Sequence, residues 1–173
     1  IRDRQWNYTG DRRPDFAVEP AAGQESVWDY PRPPVVEATS RLVEVRHGDV
    51  ELASSRRGMR LKETASPPTF YLPSDDVRQA QLVAVDGSSV CEWKGAARYW
   101  ALAADPREPV AWSYPDPRPP FTNLKNFFAF YPGRVACFVD GERVEPQPGR
   151  FYGGWITSDV VGPFKGEPGT GHW

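Results

Sequence analysis

A chain of 173 residues, 39% hydrophobic and 13% aromatic, is long enough for one domain with a real core and short for two. Its 21 basic and 23 acidic side chains nearly cancel to a net charge of −2, and the arginines are scattered, which removes the simplest argument for nucleic-acid binding. No apolar run approaches the ~18 residues of a membrane span, and no leader-like segment opens the chain at Ile1, so no membrane association is expected.

Two cysteines, Cys91 and Cys137, are too few for a disulfide scaffold, and the two histidines, His47 and His172, lie far apart. Free thiols in a reducing cytoplasmic setting, with no metal and no cofactor, are the expectation.

Residues 1–34 carry Trp6, Tyr8, Phe16, Trp28 and Tyr30 among Arg, Asp and Pro without a period of 2 or 3.6. Such a segment cannot build a core alone, yet it is too aromatic for a solvated tail, and it reads as an arm wrapped on the domain. Its end, Tyr30 to Pro34, should be extended because prolines remove donors and push preceding residues out of the helical region.

From Arg41 the pattern alternates. Residues 41–46 and 50–53 flank His47-Gly48-Asp49 as a hairpin, and 59–64 form a further strand with Met59, Leu61 and Glu63 on one face. A carboxylate on an apolar face is either paired to Arg or Lys or placed at a pocket mouth. Residues 66–73 read as a proline-bracketed strand, and Ser74 to Val77 as one helical turn. Gln81 to Val85 and Ser89 to Trp93 read as strands about a turn at Asp86-Gly87, with 98–103 continuing after a break at Gly95. A polar loop over 104–109 precedes a strand at 110–114. Residues 115–120 form a proline-rich loop and 127–131 a strand. The clearest hairpin, 134–139 with 142–144, turns at Asp140-Gly141.

The densest chemistry lies in Val90 to Trp100, V-C-E-W-K-G-A-A-R-Y-W. One reading is a buried strand with Gly95 at a bulge and Cys91 as a small hydrophobe. The other is the wall of a site, because Lys94 beside Gly95 sets a cation on a backbone that a ligand can approach, with aromatic faces at hand. The chain has 17 Arg and only four Lys, which makes a lysine in this place pointed. The triplet Trp93-Lys94-Gly95 is echoed by Phe164-Lys165-Gly166.

Nine or ten short strands, almost no helical period and frequent turn signals imply an all-β, mainly antiparallel fold, a compact two-sheet barrel or sandwich. The expected organisation is an arm over 1–34, a β domain over 35–145 and a C-terminal extension over 146–173 packed on it.

The pieces E-T-A-S-P-P-T-F-Y-L-P (63–73) with Asp76-Val77, C-E-W-K-G-A-A-R-Y-W (91–100), A-W-S-Y-P-D-P (111–117) and Phe130-Tyr131 occur in an order that resembles the bacterial family catalogued as domain of unknown function 427. A nucleotidyltransferase label is also in use for that family. The resemblance covers about residues 28–138 and implies a compact antiparallel β domain of a tent-like two-sheet kind. Glu92 departs from it, standing where the family commonly has proline. Carried over residue by residue, the resemblance places Glu63, Tyr71, Cys91, Lys94, Tyr99, Trp100, Trp112 and Tyr114 near one concave face. There Lys94 would hold a phosphate or carboxylate, Glu63 would orient it or act as a base, and the rings would stack on a ligand. The alternative is that the aromatics are core and Glu63 and Lys94 pair with each other.

Three functions follow. The first is a small-molecule-binding β domain, its ligand anionic or aromatic and its ligand-binding residues Glu63, Tyr71, Lys94, Tyr99, Trp100, Trp112 and Tyr114. The second is an enzyme with Cys91, Lys94 and Glu63 as catalytic candidates, working through a thiol or as the nucleotidyltransferase of the family label. Transfer of that kind needs carboxylates converging on metal ions, whereas adjacent Asp75 and Asp76 on a strand point to opposite faces. A thiol route needs a base, and neither histidine is tied to Cys91 by spacing. The third is a non-catalytic interaction module whose arms dock on a partner, a second copy of the chain among them, although such arms equally serve as straps over sheet edges.

Overall fold

The computed structural model describes residues 6–173, so the first five residues of the predicted arm lie outside it. In chain order the strands are β1 (Glu25–Ser26), β2 (Val35–Ala38), β3 (Val43–His47), β4 (Val50–Ser55), β5 (Met59–Lys62), β6 (Thr69–Tyr71), β7 (Leu82–Cys91) and β8 (Gly95–Leu102). They continue with β9 (Asp105–Ser113), β10 (Phe128–Phe130), β11 (Ala136–Val139), β12 (Glu142–Arg143), β13 (Glu145–Pro146), β14 (Trp155–Ile156) and β15 (Val160–Val161). Helical structure among the described residues is limited to single 3-10 turns, one of them at Ser74–Asp76 as the sequence predicts. No helix there is long and apolar enough to cross a membrane.

The strands form an all-β, mainly antiparallel architecture in which no sheet closes into a barrel. One sheet has the order β12-β11-β3-β4 and another the order β10-β9-β8-β7. The three strands β2-β5-β6 continue the second sheet, because Leu72 and Phe128 exchange both backbone hydrogen bonds at 2.8 Å. Between the two sheets lies the main core. Val43, Val45, Leu52, Cys137 and Val139 meet Phe70, Leu82, Leu102, Phe128 and Phe130, and Trp155 from the C-terminal segment seals it. The Trp155 indole donates to the Phe130 carbonyl at 3.0 Å, so a large apolar ring is buried with its one polar group satisfied.

Strand pleat explains why 127–131 is apolar throughout. Phe128 and Phe130 face the main core, while Phe127, Ala129 and Tyr131 pack on the opposite face of the same sheet. That opposite face gathers a second cluster, with Leu61, Tyr71, Trp112, Tyr114 and Phe121 among its buried members.

One predicted turn and one predicted loop are corrected. Asp86-Gly87 is no hairpin: β7 runs unbroken from Leu82 to Cys91, and the two residues are a bulge between the Val85↔Tyr99 and Ser88↔Arg98 pairs. The reversal comes at Glu92-Trp93-Lys94, where Cys91 pairs with Gly95. The predicted loop at 104–109 is largely strand, since β9 starts at Asp105. Its Pro106 and Pro109 are tolerated because β10 pairs only with residues 111–113 and leaves that part of the strand as an edge.

The terminal segments hold one another. β1 pairs in parallel with β15, and Trp28 is buried beneath Tyr8, Phe16 and Trp173 with ring centroids 5.1, 5.3 and 5.3 Å away. The early aromatics thus build a third cluster jointly with Ala65, Val160 and Phe164. At its edge Arg32 donates to the carbonyls of Tyr8 (3.1 Å), Thr64 (3.1 Å) and Trp173 (2.8 Å) and to the Glu63 carboxylate (3.2 Å).

Candidate functional site

The β7–β8 turn points Lys94 into the second cluster. Its loop is three residues long, and Gly95 closes it at φ +100, a conformation that a side chain strains. The turn is clamped from the other side, as the Arg118 amide donates to the Lys94 carbonyl at 2.9 Å. Gly95→Ala should therefore lower stability by roughly 1–2 kcal/mol, measured as a fall in urea midpoint. A second aromatic-Lys-Gly triplet behaves alike: Gly166 has φ +140, and Lys165, like Lys94, is 7% exposed.

Tyr71 ends β6, Trp112 lies on β9 with Tyr114 just beyond it, Tyr99 pairs across to Trp112 from β8, and Tyr131 follows β10. Tyr71 stands edge-on to Trp112 with centroids 6.3 Å apart, Tyr114 is 6.4 Å from Tyr71, and Tyr131 packs on Trp112 at 4.6 Å. The Lys94 ammonium lies 5.5 Å from the Tyr114 ring centroid. Tyr99 shares a 2.5 Å hydrogen bond with Ser89. From the C-terminal segment Gly153 lies against Trp112 so closely that a Cβ there would come within 2.3 Å of the ring.

The electrostatics fix the charge states. Burial works against the Lys94 ammonium, but Tyr71, Cys91 and Glu63 outweigh it and hold its pKa above the ordinary lysine value, so Lys94 is a cation at neutral pH and not an amine nucleophile. Among the described residues it has no carboxylate within ion-pair distance and no oxygen acceptor; its hydrogen-bonding neighbour is the Cys91 thiol. Burial pushes the phenols of Tyr71 and Tyr114 upward, and Tyr131 to about 12 from 10.0. A raised phenol keeps its proton in the folded state after the unfolded chain has lost it, so the fold loses stability as pH rises above 10. Phenolate absorbance from these tyrosines should appear together with alkaline unfolding, in a stopped-flow or equilibrium pH titration.

The structure brings Tyr71, Cys91, Lys94, Tyr99, Trp112 and Tyr114 together. Glu63 lies at the margin, close enough to Lys94 to act on its charge but ion-paired at 3.2 Å with Arg32. Trp100 does not join them. Successive strand residues point to opposite faces, so Trp100 packs on the main core, 5.3 Å from Phe128, and its indole donates to Ser113. Tyr131 and Arg32 were missed from sequence. The first was legible, since it shares the alternate face with Phe127 and Ala129; the second was not, because its partners come from separated segments.

No imidazole belongs to the cluster: His47 ends β3, and His172 is exposed next to Trp173. Asp76 is taken up by Arg57 at 2.8 Å and by the Ser55 hydroxyl at 2.6 Å, while Asp75 faces solvent. No three His, Cys, Asp or Glu side chains among the described residues are grouped to hold a metal ion.

A family model described as Domain of unknown function (DUF427), whose short name is NTP_transf_9, matches residues 35–141. The chain belongs to the DUF427 family. No curated protein matches it. The DUF427 segment supplies the whole of the aromatic cluster and Lys94, from Glu63 to Tyr131. Arg32, Gly153 and the rest of the covering segments lie outside it.

Proposed function

We propose that the Lys94 cluster binds a small ring-bearing monoanion, its carboxylate or equivalent group against the ammonium and its ring among Tyr71, Tyr99, Trp112 and Tyr114. The supporting observation is a buried lysine, 7% exposed, that has no counter-ion within ion-pair distance among the described residues. A buried ammonium among aromatic rings, with no carboxylate paired to it among the described residues, has room for a further negative charge, which an anionic ligand would supply. One charge is the match, because the phenols around it are neutral and the Glu63 carboxylate is already balanced by Arg32. The test is calorimetric titration of the full chain with benzoate and with acetate as the ringless control. Saturable binding of benzoate, weaker for acetate, supports the reading; no heat from either refutes it.

A second reading, thiol chemistry at Cys91, draws on the contact of that thiol with Lys94. It lacks a base, as no histidine is near, and the ammonium would act only by stabilising a thiolate. Unchanged turnover in Cys91→Ser, once a substrate is in hand, removes it. The nucleotidyltransferase label is weakly supported, because transfer of a nucleotidyl group calls for converging carboxylates and Asp75 and Asp76 diverge.

A further inference from the structure

We infer that a second binding site, independent of Lys94, lies on the solvent side of the β12-β11-β3-β4 sheet and takes the phosphoryl group of a small molecule. A surface pocket of about 440 Å³ opens there between the end of β3, the turn after Tyr131 and the β11–β12 pair. Arg46, His47, Arg134 and Arg143 line it, with Phe138 and the small Ala136, and among the described residues no Asp or Glu does. Strand register produces this arrangement: Arg46 pairs with Ala136 and Phe138 with Arg143, so two guanidinium groups flank a low floor.

Those guanidinium groups have capacity to spare. Arg143 rests against the Phe138 ring at 5.7 Å and has no carboxylate within ion-pair distance among the described residues. Among the described residues Arg46 meets only Glu44, at 3.8 Å, without a hydrogen bond. Arg134 is already fixed. It stacks on Tyr131 at 4.0 Å, donates to the Pro109 carbonyl at 2.6 Å, and stands 4.0 Å from Glu108. A cation held in place by the protein costs little further ordering when a ligand arrives. Of the other carboxylates nearby, Glu51 is engaged with Arg78 and Asp105 with Arg107.

Planar forks of donors match the oxygens of a phosphoryl group, and three arginines with a histidine suit its double charge better than a carboxylate's single one. The organic part of the ligand has a place as well. A second pocket of about 550 Å³ shares Pro132, Gly133 and Arg134 with the first and is walled by Tyr131, Tyr152, Pro146 and Pro148. The class is therefore a phosphorylated small molecule with a flat or apolar body.

The experiment is calorimetric titration of the full chain with inorganic pyrophosphate at fixed ionic strength, beside the double variant Arg46→Gln, Arg143→Gln. Neither side chain makes a hydrogen bond among the described residues, so the variant's melting temperature should match the wild type and report an intact fold. Saturable binding that weakens roughly tenfold or more in the double variant is the expected result, the loss of two charge-assisted contacts. Equal affinity in both proteins overturns the site, as does absence of saturable binding. Loss of binding in Lys94→Met instead would move the phosphoryl group to the aromatic cluster and overturn it too. Affinity for a single-stranded oligonucleotide that exceeds the pyrophosphate affinity and grows with length would contradict a small-molecule ligand.

Discussion

Lys94→Met is expected to abolish benzoate binding while moving the folding stability by less than about 1 kcal/mol. The two effects separate because of what surrounds the ammonium. Methionine keeps the unbranched apolar stem that packs beside Tyr71 and Tyr114, so no large cavity opens. No carboxylate is abandoned, since Glu63 keeps its 3.2 Å pair with Arg32. Had Lys94 and Glu63 been a structural ion pair, the same change would leave a lone buried charge and cost about 3–5 kcal/mol. On the binding side, removal of the one cation facing a desolvated anion costs ~2–5 kcal/mol, roughly 30-fold to several thousandfold in affinity. Urea denaturation and calorimetry on the same preparation read both quantities.

Arg32→Met should show the opposite profile, with a large loss of stability of about 3 kcal/mol or more. The Arg32 side chain is 1% exposed and joins three carbonyls and a carboxylate from the N-terminal arm, the β5–β6 connection and the C-terminal residue. Truncation takes the Arg32 donor from the Tyr8 and Thr64 carbonyls, leaves the Trp173 carbonyl to the Lys165 ammonium at 3.3 Å, and leaves Glu63 without its counter-ion. Because Glu63 would then be free to turn to Lys94, benzoate affinity should fall as well. A lowered urea midpoint with early proteolysis of both terminal segments is the expected observation. Retained stability would mean that the arms are held by the Trp28 aromatic cluster alone.

Much of this fold was legible because the alternation is strong. The hairpins over 43–55 and 136–143 and the strand at 59–62 read directly from apolar spacing and Gly turns. The reading failed where a local signal met a longer one. Asp86-Gly87 has hairpin chemistry, yet four cross-strand pairs on each side of it hold β7 continuous and turn the dipeptide into a bulge. The consequence reached the site: moving the reversal to Glu92-Trp93-Lys94 puts Lys94 at the tip of a hairpin and turns it inward. Trp100 was misplaced against a rule the sequence itself supplies, since it cannot share a face with Tyr99 in one strand. Arg32 had no local signal at all. Its role comes from residues up to 141 positions away, which only the tertiary fold brings together.

The most direct test of the Lys94 site is native mass spectrometry of the gently purified chain beside Lys94→Met. A co-purifying small anion on the wild type that is absent from the variant is the expected result, and its mass would give the ligand. The same adduct on both proteins, or an unloaded wild type that also fails to take up benzoate, would contradict the proposal that Lys94 holds an anion.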